Sequence, residues 1–134
     1  MQTSVIYPYD ERGRSPASQL YEQARSFMDK DSWEDAIVLF KKAAELTPHF
    51  KTYELWGECL MKLGRFSEAI LPLAAATGLN KGIRPSSLLS DAFFQASHYS
   101  EAVDAAKTAL ERDPKNKIAL SILEKSTAKL NEET

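Results

Sequence analysis

The residues able to do covalent or metal chemistry are few and far apart. There is one cysteine, Cys59, and two histidines, His49 and His98. A thiol nucleophile needs a neighbouring base to deprotonate it, and neither histidine shares a helical turn with Cys59. Cys59 falls inside an apolar helical pattern, where a small buried thiol is the expected role. His49 follows Pro48 and His98 stands before a new helix, so both are expected to fill or cap turns. No Gly-rich phosphate loop, paired-His metal motif or Cys-His spacing is present. Asp and Glu are plentiful but scattered along helices. The sequence points away from an enzyme and calls for no cofactor and no metal.

Composition narrows the alternatives. The chain has 134 residues, 43% hydrophobic and 27% charged, with a formal net charge of -2. That suits one folded domain. It disfavours a nucleic-acid binder, which shows a basic face, and an electrostatic membrane anchor. No stretch approaches the roughly 20 apolar residues of a membrane span. The start lacks the basic-then-apolar pattern of a secretory signal, and a single cysteine fits a reducing compartment. A cytoplasmic protein is expected.

The elements that must position any site come from three segments that overlay. They are Trp33-Glu34-Asp35-Ala36-Ile37, Phe66-Ser67-Glu68-Ala69-Ile70 and Tyr99-Ser100-Glu101-Ala102-Val103, each thirty-three residues from the last. Small residues recur at the same step at Ala24, Gly57 and Ser90, and again at Ala43, Ala76 and Ala109. Large ones recur at Phe27, Leu60 and Phe93. A fixed period of this size marks a repeat array. Small residues let helices cross closely, and large ones fill the space between crossings.

Start and stop signals divide the chain further. Ser15-Pro16 opens a first helix, which ends near Asp29. Ser32 is placed to cap the second, with Asp35 three residues on, and Pro48 stops it. Gly64 suits the end of the third. Pro72 lies inside the fourth and is expected to kink or shorten it. Pro85 opens the fifth, Tyr99 begins the sixth, Asp113-Pro114 ends it, and Lys117 to about Leu130 forms a seventh. Short loops force neighbouring helices to pack antiparallel.

The pattern resembles the tetratricopeptide repeat, whose units carry Trp, Leu-Gly and Tyr in a first helix, then Ala, Phe and a closing Pro. The second unit supplies Tyr53, Trp56-Gly57, Gly64, Phe66 and Ala69. The first supplies Ala24, Phe27, Trp33, Ala36, Phe40, Ala43 and Pro48. The third supplies Tyr99, Ala102, Ala109 and Asp113-Pro114-Lys115-Asn116. The period is one residue short of the usual thirty-four, so an inter-repeat turn is expected to be tightened. Lys81 stands where the second unit would close with Pro.

The resemblance implies an all-α, right-handed α-solenoid of three antiparallel helix pairs with a C-terminal capping helix. Repeats span about 17–49, 50–82 and 83–116 and the cap helix spans 117–130, together a single domain over 15–130. Residues 1–14 form a flexible extension, and residues 131–134 fray.

It also implies a function, a scaffold or adaptor that binds a peptide or partner helix in the concave groove lined by the first helices. The candidate groove residues are those the core does not need: Tyr21, Arg25 and Met28; Glu54, Glu58, Met61 and Lys62; Arg84, Ser87, Asp91 and Phe94. Apolar and charged side chains alternate there, as at interaction surfaces.

One subclass of the family clamps the terminal carboxylate of heat-shock chaperone tails with Lys, Asn and Arg. The cation places hold Tyr21, Arg84 and Leu88 here, and the Asn places hold Arg25 and Leu55. Carboxylate-clamp binding of those tails is therefore not expected. The alternative within the resemblance is a small chaperone for a secreted or assembling client, a homodimer through Val5–Tyr9.

Overall fold

The computed structural model describes residues 9–80 and 82–133. Seven helices follow one another: α1 Pro16–Asp29, α2 Trp33–Leu46, α3 Phe50–Lys62, α4 Phe66–Leu79, α5 Ile83–Gln95, α6 Tyr99–Arg112 and α7 Lys117–Glu132. Each packs on its chain neighbours, and α7 also lies against α5. This is the expected array of three pairs and a cap. The seventh helix runs to Glu132, two residues beyond the expected end.

The turn inside each pair is built the same way three times. The amides of Ser32, Arg65 and His98 donate to the carbonyls of Phe27, Leu60 and Phe93 at 2.8, 2.9 and 2.8 Å. The amides of Asp31, Gly64 and Ser97 donate to Met28, Met61 and Phe94 at 2.9, 3.0 and 2.9 Å. This pair of bonds is the Schellman closure, which requires a left-handed residue just past the helix. Asp31, Gly64 and Ser97 hold φ of 58°, 72° and 66°. Gly64 is the only one of the three that adopts this backbone without steric cost.

That geometry corrects the expectation for Ser32. Its side chain makes no capping hydrogen bond to α2, and its ψ is 71°, against 161° at Ser15, which does cap α1 by accepting from the Ser18 amide. The closure of α1 sets the backbone at Ser32 outside the extended conformation that a capping residue takes.

The tightened period lies in the connectors. Three residues join α2 to α3 and α4 to α5, whereas four join α6 to α7. Residue 81, where Lys replaces the closing Pro, lies outside the described residues. Arg112 braces the neighbouring helix start: its guanidinium donates to the Gly82 carbonyl at 3.0 Å and to the Ser86 hydroxyl at 2.7 Å. Pro72 does not shorten its helix. α4 is continuous across it, and the ring is fully buried.

The core is the set of close crossings that the period foretells. Ala24, Ala36, Ala69, Ala76, Ala102, Ala109 and Ser90 are all 0% exposed. Gly57 is the tightest: a Cβ there would stand 2.5 Å from the Leu73 side chain. Around these pack Phe40, Leu60, Leu73 and Leu89, and a second cluster of Ala102, Ala106, Ala109, Ala119 and Ile122 joins α6 to α7.

Ahead of α1, residues 10–14 form an ordered turn. The Asp10 carboxylate accepts from the Arg12 and Arg14 amides at 3.0 and 2.8 Å, and Gly13 takes φ 76°. Arg14 also pairs with Glu22 of α1. These bonds set the turn of residues 10–14 against the start of α1. Tyr9 is 66% exposed and does not lie against the array. Ile6, Tyr7 and the rest of residues 1–8 lie outside the described residues.

Two substitutions separate the crossing from the turn. Gly57→Ala forces Leu73 to shift and is expected to cost about 1–3 kcal/mol. Ser97→Gly removes a left-handed side-chain penalty and is expected to gain roughly 1 kcal/mol. Urea unfolding should show opposite displacements of the midpoint at unchanged slope.

Candidate interaction face

The first helices carry their candidate residues in rows at helical spacing. On α1, the Arg25 guanidinium donates to the Tyr21 hydroxyl at 3.3 Å and lies 6.0 Å from the ring centroid. That hydroxyl, then the nearby charges of Asp29 and Glu58, hold the Arg25 pKa above its ordinary value. The Tyr21 ring meets Phe40 edge-on at 5.8 Å. Met28 and Met61 likewise pack on the core with part of their surface open. These three residues therefore present an apolar strip that is anchored from behind.

The middle of the face is an ion-pair network between α3 and α5. Glu54 accepts from the Lys51 ammonium at 3.2 Å and from Arg84. The other arm of Arg84 donates to Glu58. Partial burial works against the charge on Arg84, but Glu58 and Glu54 more than offset it and raise its pKa. Arg84 remains a cation whose donors are already engaged.

Glu54 and Ser87 were expected on the open face and are both buried, 2% exposed. Glu54 is covered because Arg84 reaches across from α5 to pair with it. Ser87 is small, and its hydroxyl donates to the Arg84 carbonyl at 3.0 Å, within its own helix. They support the surface rather than form it.

Two further candidates separate from the strip. Lys62 places its ammonium 5.9 Å from the Trp33 ring, toward α2. Phe94 packs on the second core cluster, 5.7 Å from the Tyr99 ring, with the Lys125 ammonium 6.0 Å from its own. Asp91 accepts from the Gln95 amide at 3.2 Å. It shares with Gln95, Lys117, Ile118, Ser121 and Lys125 a cleft of about 380 Å³ between α5 and α7. The α7 contribution was not anticipated, although Lys117, Ser121 and Lys125 fall one turn apart on a single helix face. At the other end of the array, Ser18, Tyr21, His49, Lys51 and Thr52 line a hollow of about 290 Å³.

The chemistry-bearing residues stay apart. Cys59 is 0% exposed. Burial, and secondarily the Glu58 charge, push its pKa from 9.0 up to about 12. His49 caps α3 by accepting from the Lys51 amide at 3.1 Å, and His98 sits exposed in the α5–α6 turn. Among the described residues no three His, Cys, Asp or Glu side chains cluster to hold a metal ion. No helix among them is long and apolar enough to cross a membrane.

Arg84→Ala removes the interhelical partner of a buried carboxylate, leaving Lys51 to compensate in part. A loss of about 1–3 kcal/mol is expected in urea unfolding, larger than for Lys62→Ala. For Cys59 the folded pKa lies above the unfolded one, so folding favours the thiol. Its contribution to stability is present below pH 9.0 and is lost as the pH rises toward about 12. Iodoacetamide should label the native protein slowly across that range and the urea-unfolded chain rapidly; equal rates would contradict the buried thiol.

Comparison with known proteins meets this geometry. A family model described as a tetratricopeptide repeat matches residues 21–82 and 88–123. Among the curated proteins none matches. Among solved structures, the first TPR domain of Spaghetti (RPAP3), bound to the HSP90 peptide SRMEEVD, superposes with a TM-score of 0.80 at 22% identity, covering 95% of this chain and 99% of that one. The second TPR domain of human RPAP3, in complex with the HSP70 peptide SGPTIEEVD, gives 0.77 at 18% identity over 83% of this chain and 94% of the other. The Hsp90 co-chaperone Cns1 from Saccharomyces cerevisiae gives 0.76 at 26% identity, over 87% of this chain and 39% of that one. With the family model covering most of the array and the repeated turns and crossings in place, the chain belongs to the tetratricopeptide-repeat family.

Proposed function

We propose that this protein is a non-catalytic interaction module that holds a short segment or helix of a partner protein against the inner face of its first helices. The observation that carries the reading is the strip of Tyr21, Met28 and Met61, only partly buried, beside Arg25 and Glu58. Half-open aromatic and Met side chains backed by a rigid core suit a contact surface. The peptides held by the two RPAP3 domains support the same use of the fold.

The partner differs in chemistry from those acidic tails. Of the five clamp places, Leu55 is buried and Leu88 partly so, and neither can hydrogen-bond through its side chain. Tyr21 offers a hydroxyl already bonded to Arg25. Arg84 is held by Glu54 and Glu58, whose carboxylates would lie beside any incoming carboxylate and repel it.

Fluorescence anisotropy with SRMEEVD should give no saturable binding, and micromolar affinity would refute the exclusion. For a partner segment found by peptide array, Tyr21→Ala with Glu58→Ala should weaken binding by about tenfold or more at unchanged helicity. Unchanged affinity would move the site off this face.

A further inference from the structure

The second helices of the pairs also have an outward face, and the period aligns it. One row reads Val38, Lys42 and Leu46 on α2, then Leu71, Ala75 and Leu79 on α4, then Asp104, Thr108 and Arg112 on α6. On α6 it is polar, as a solvated face should be. On α4 it is apolar throughout, and from Ala69 to Leu79 that helix carries no charge. Leu71 is 71% exposed, Leu79 55% and Val38 50%, with Leu46 at 36%. A helix apolar on every side is ordinarily buried, and a contiguous exposed patch of this kind marks an interaction site. Between α2 and α4 the patch opens into a cavity of about 320 Å³ lined by Tyr53, Trp56, Leu71, Ala75, Lys41 and Glu45.

Gly78 is an independent observation. Every other glycine in the described residues has a reason within the chain. Gly13 and Gly64 have positive φ, Gly57 is crowded by Leu73, and Gly82 precedes α5. Gly78 is helical, exposed, and has nothing within 4 Å of where a Cβ would stand. Helix propensity favours Ala there. A missing Cβ on an open face fits close approach by another backbone.

We propose that this face binds a second copy of the chain, with the two α4 helices antiparallel about a two-fold axis that crosses α4 at Ala75. The pattern is self-complementary, as an isologous interface requires. Ala75 is midway between Leu71 and Leu79, so each Leu71 lies beside Leu79 of the other copy. Ala74, Ala75 and Gly78 form the close crossing. The same axis runs the two α2 helices antiparallel and brings Lys41 of each copy toward Glu45 of the other, while Lys42, which the row aligns with Ala75, meets its own symmetry mate. Each copy supplies both the projecting leucines and the cavity to receive one. The inner face of the first helices stays open in this arrangement, so the dimer is independent of the partner segment proposed above.

Sedimentation equilibrium of the full chain tests the proposal. The wild type should show twice the 15.0 kDa of the monomer, falling toward the monomer on dilution. Leu71→Glu and Leu79→Lys each place a charge on an exposed site, so both variants should retain native circular dichroism and sediment as monomers. Combined, they face each other across the axis and should restore association. Gly78→Ala should leave the fold intact, or more heat-stable, while weakening dimerisation about tenfold. A wild type that is monomeric at every concentration overturns the proposal, as does a dimer that survives either single charge. A double variant no more associated than the singles overturns the antiparallel register.

Discussion

Close approach of helix backbones is the constraint on which this structure depends. Two helices can cross at short range only where one of them presents almost no side chain, and here Gly57 meets Leu73 with no room for a Cβ. The Ala, Gly and Ser positions that recur every thirty-three residues are this contact, repeated along the array. Once the crossings are fixed, the turns have little freedom. Each pair must reverse direction within a few residues, and the Schellman closure at Asp31, Gly64 and Ser97 does so at the expense of a left-handed backbone. Two of the three units accept that conformation without glycine, because the crossing on either side holds it in place.

The order of the helices, most of their bounds and the buried small residues were legible in the sequence because each is set by local pattern; α5 begins at Ile83, two residues before Pro85, and α7 runs on to Glu132. What could not be read depends on a single side chain meeting another from a different helix. Ser32 has the composition of a cap, yet the closure of the preceding helix determines its ψ. Glu54 has the spacing of a surface residue, yet Arg84, thirty residues on, buries it. Lys62 and Phe94 hold the expected helical phase, but aromatic rings at Trp33 and Tyr99 draw them aside. Helical periodicity gives the face from which a side chain starts; long side chains end where their partners are.

The same distinction explains why the inner face is electrostatically quiet at its centre. Arg84 could have been a free cation for an acidic ligand. The buried Glu54 carboxylate needs a partner, and it and Glu58 hold the half-exposed Arg84 instead. The network then holds α3 against α5, much as Arg112 holds the end of α6 to the start of α5. At the centre of this face, charge is committed to joining repeats. The half-open apolar side chains on this face are those of Tyr21, Met28 and Met61, and a cleft between α5 and α7 lies beyond them.

Repeats that share a scaffold diverge where the scaffold makes no demand, so divergence separates packing from use. By that measure the outward row of the second helices is informative. The crossings need nothing from residues 38, 71 or 104, and solvent exposure alone would select polar side chains at all three. Asp104 conforms, whereas Val38 and Leu71 do not. Nor does stability favour Gly78, whose place in a helix with open space beside it costs about 1 kcal/mol relative to Ala at most. An uncharged run, exposed leucines and a glycine with no intramolecular role coincide on one helix, and symmetry about Ala75 orders them. Each is a small local cost in the isolated chain, and contact between two α4 helices turns all of them into packing.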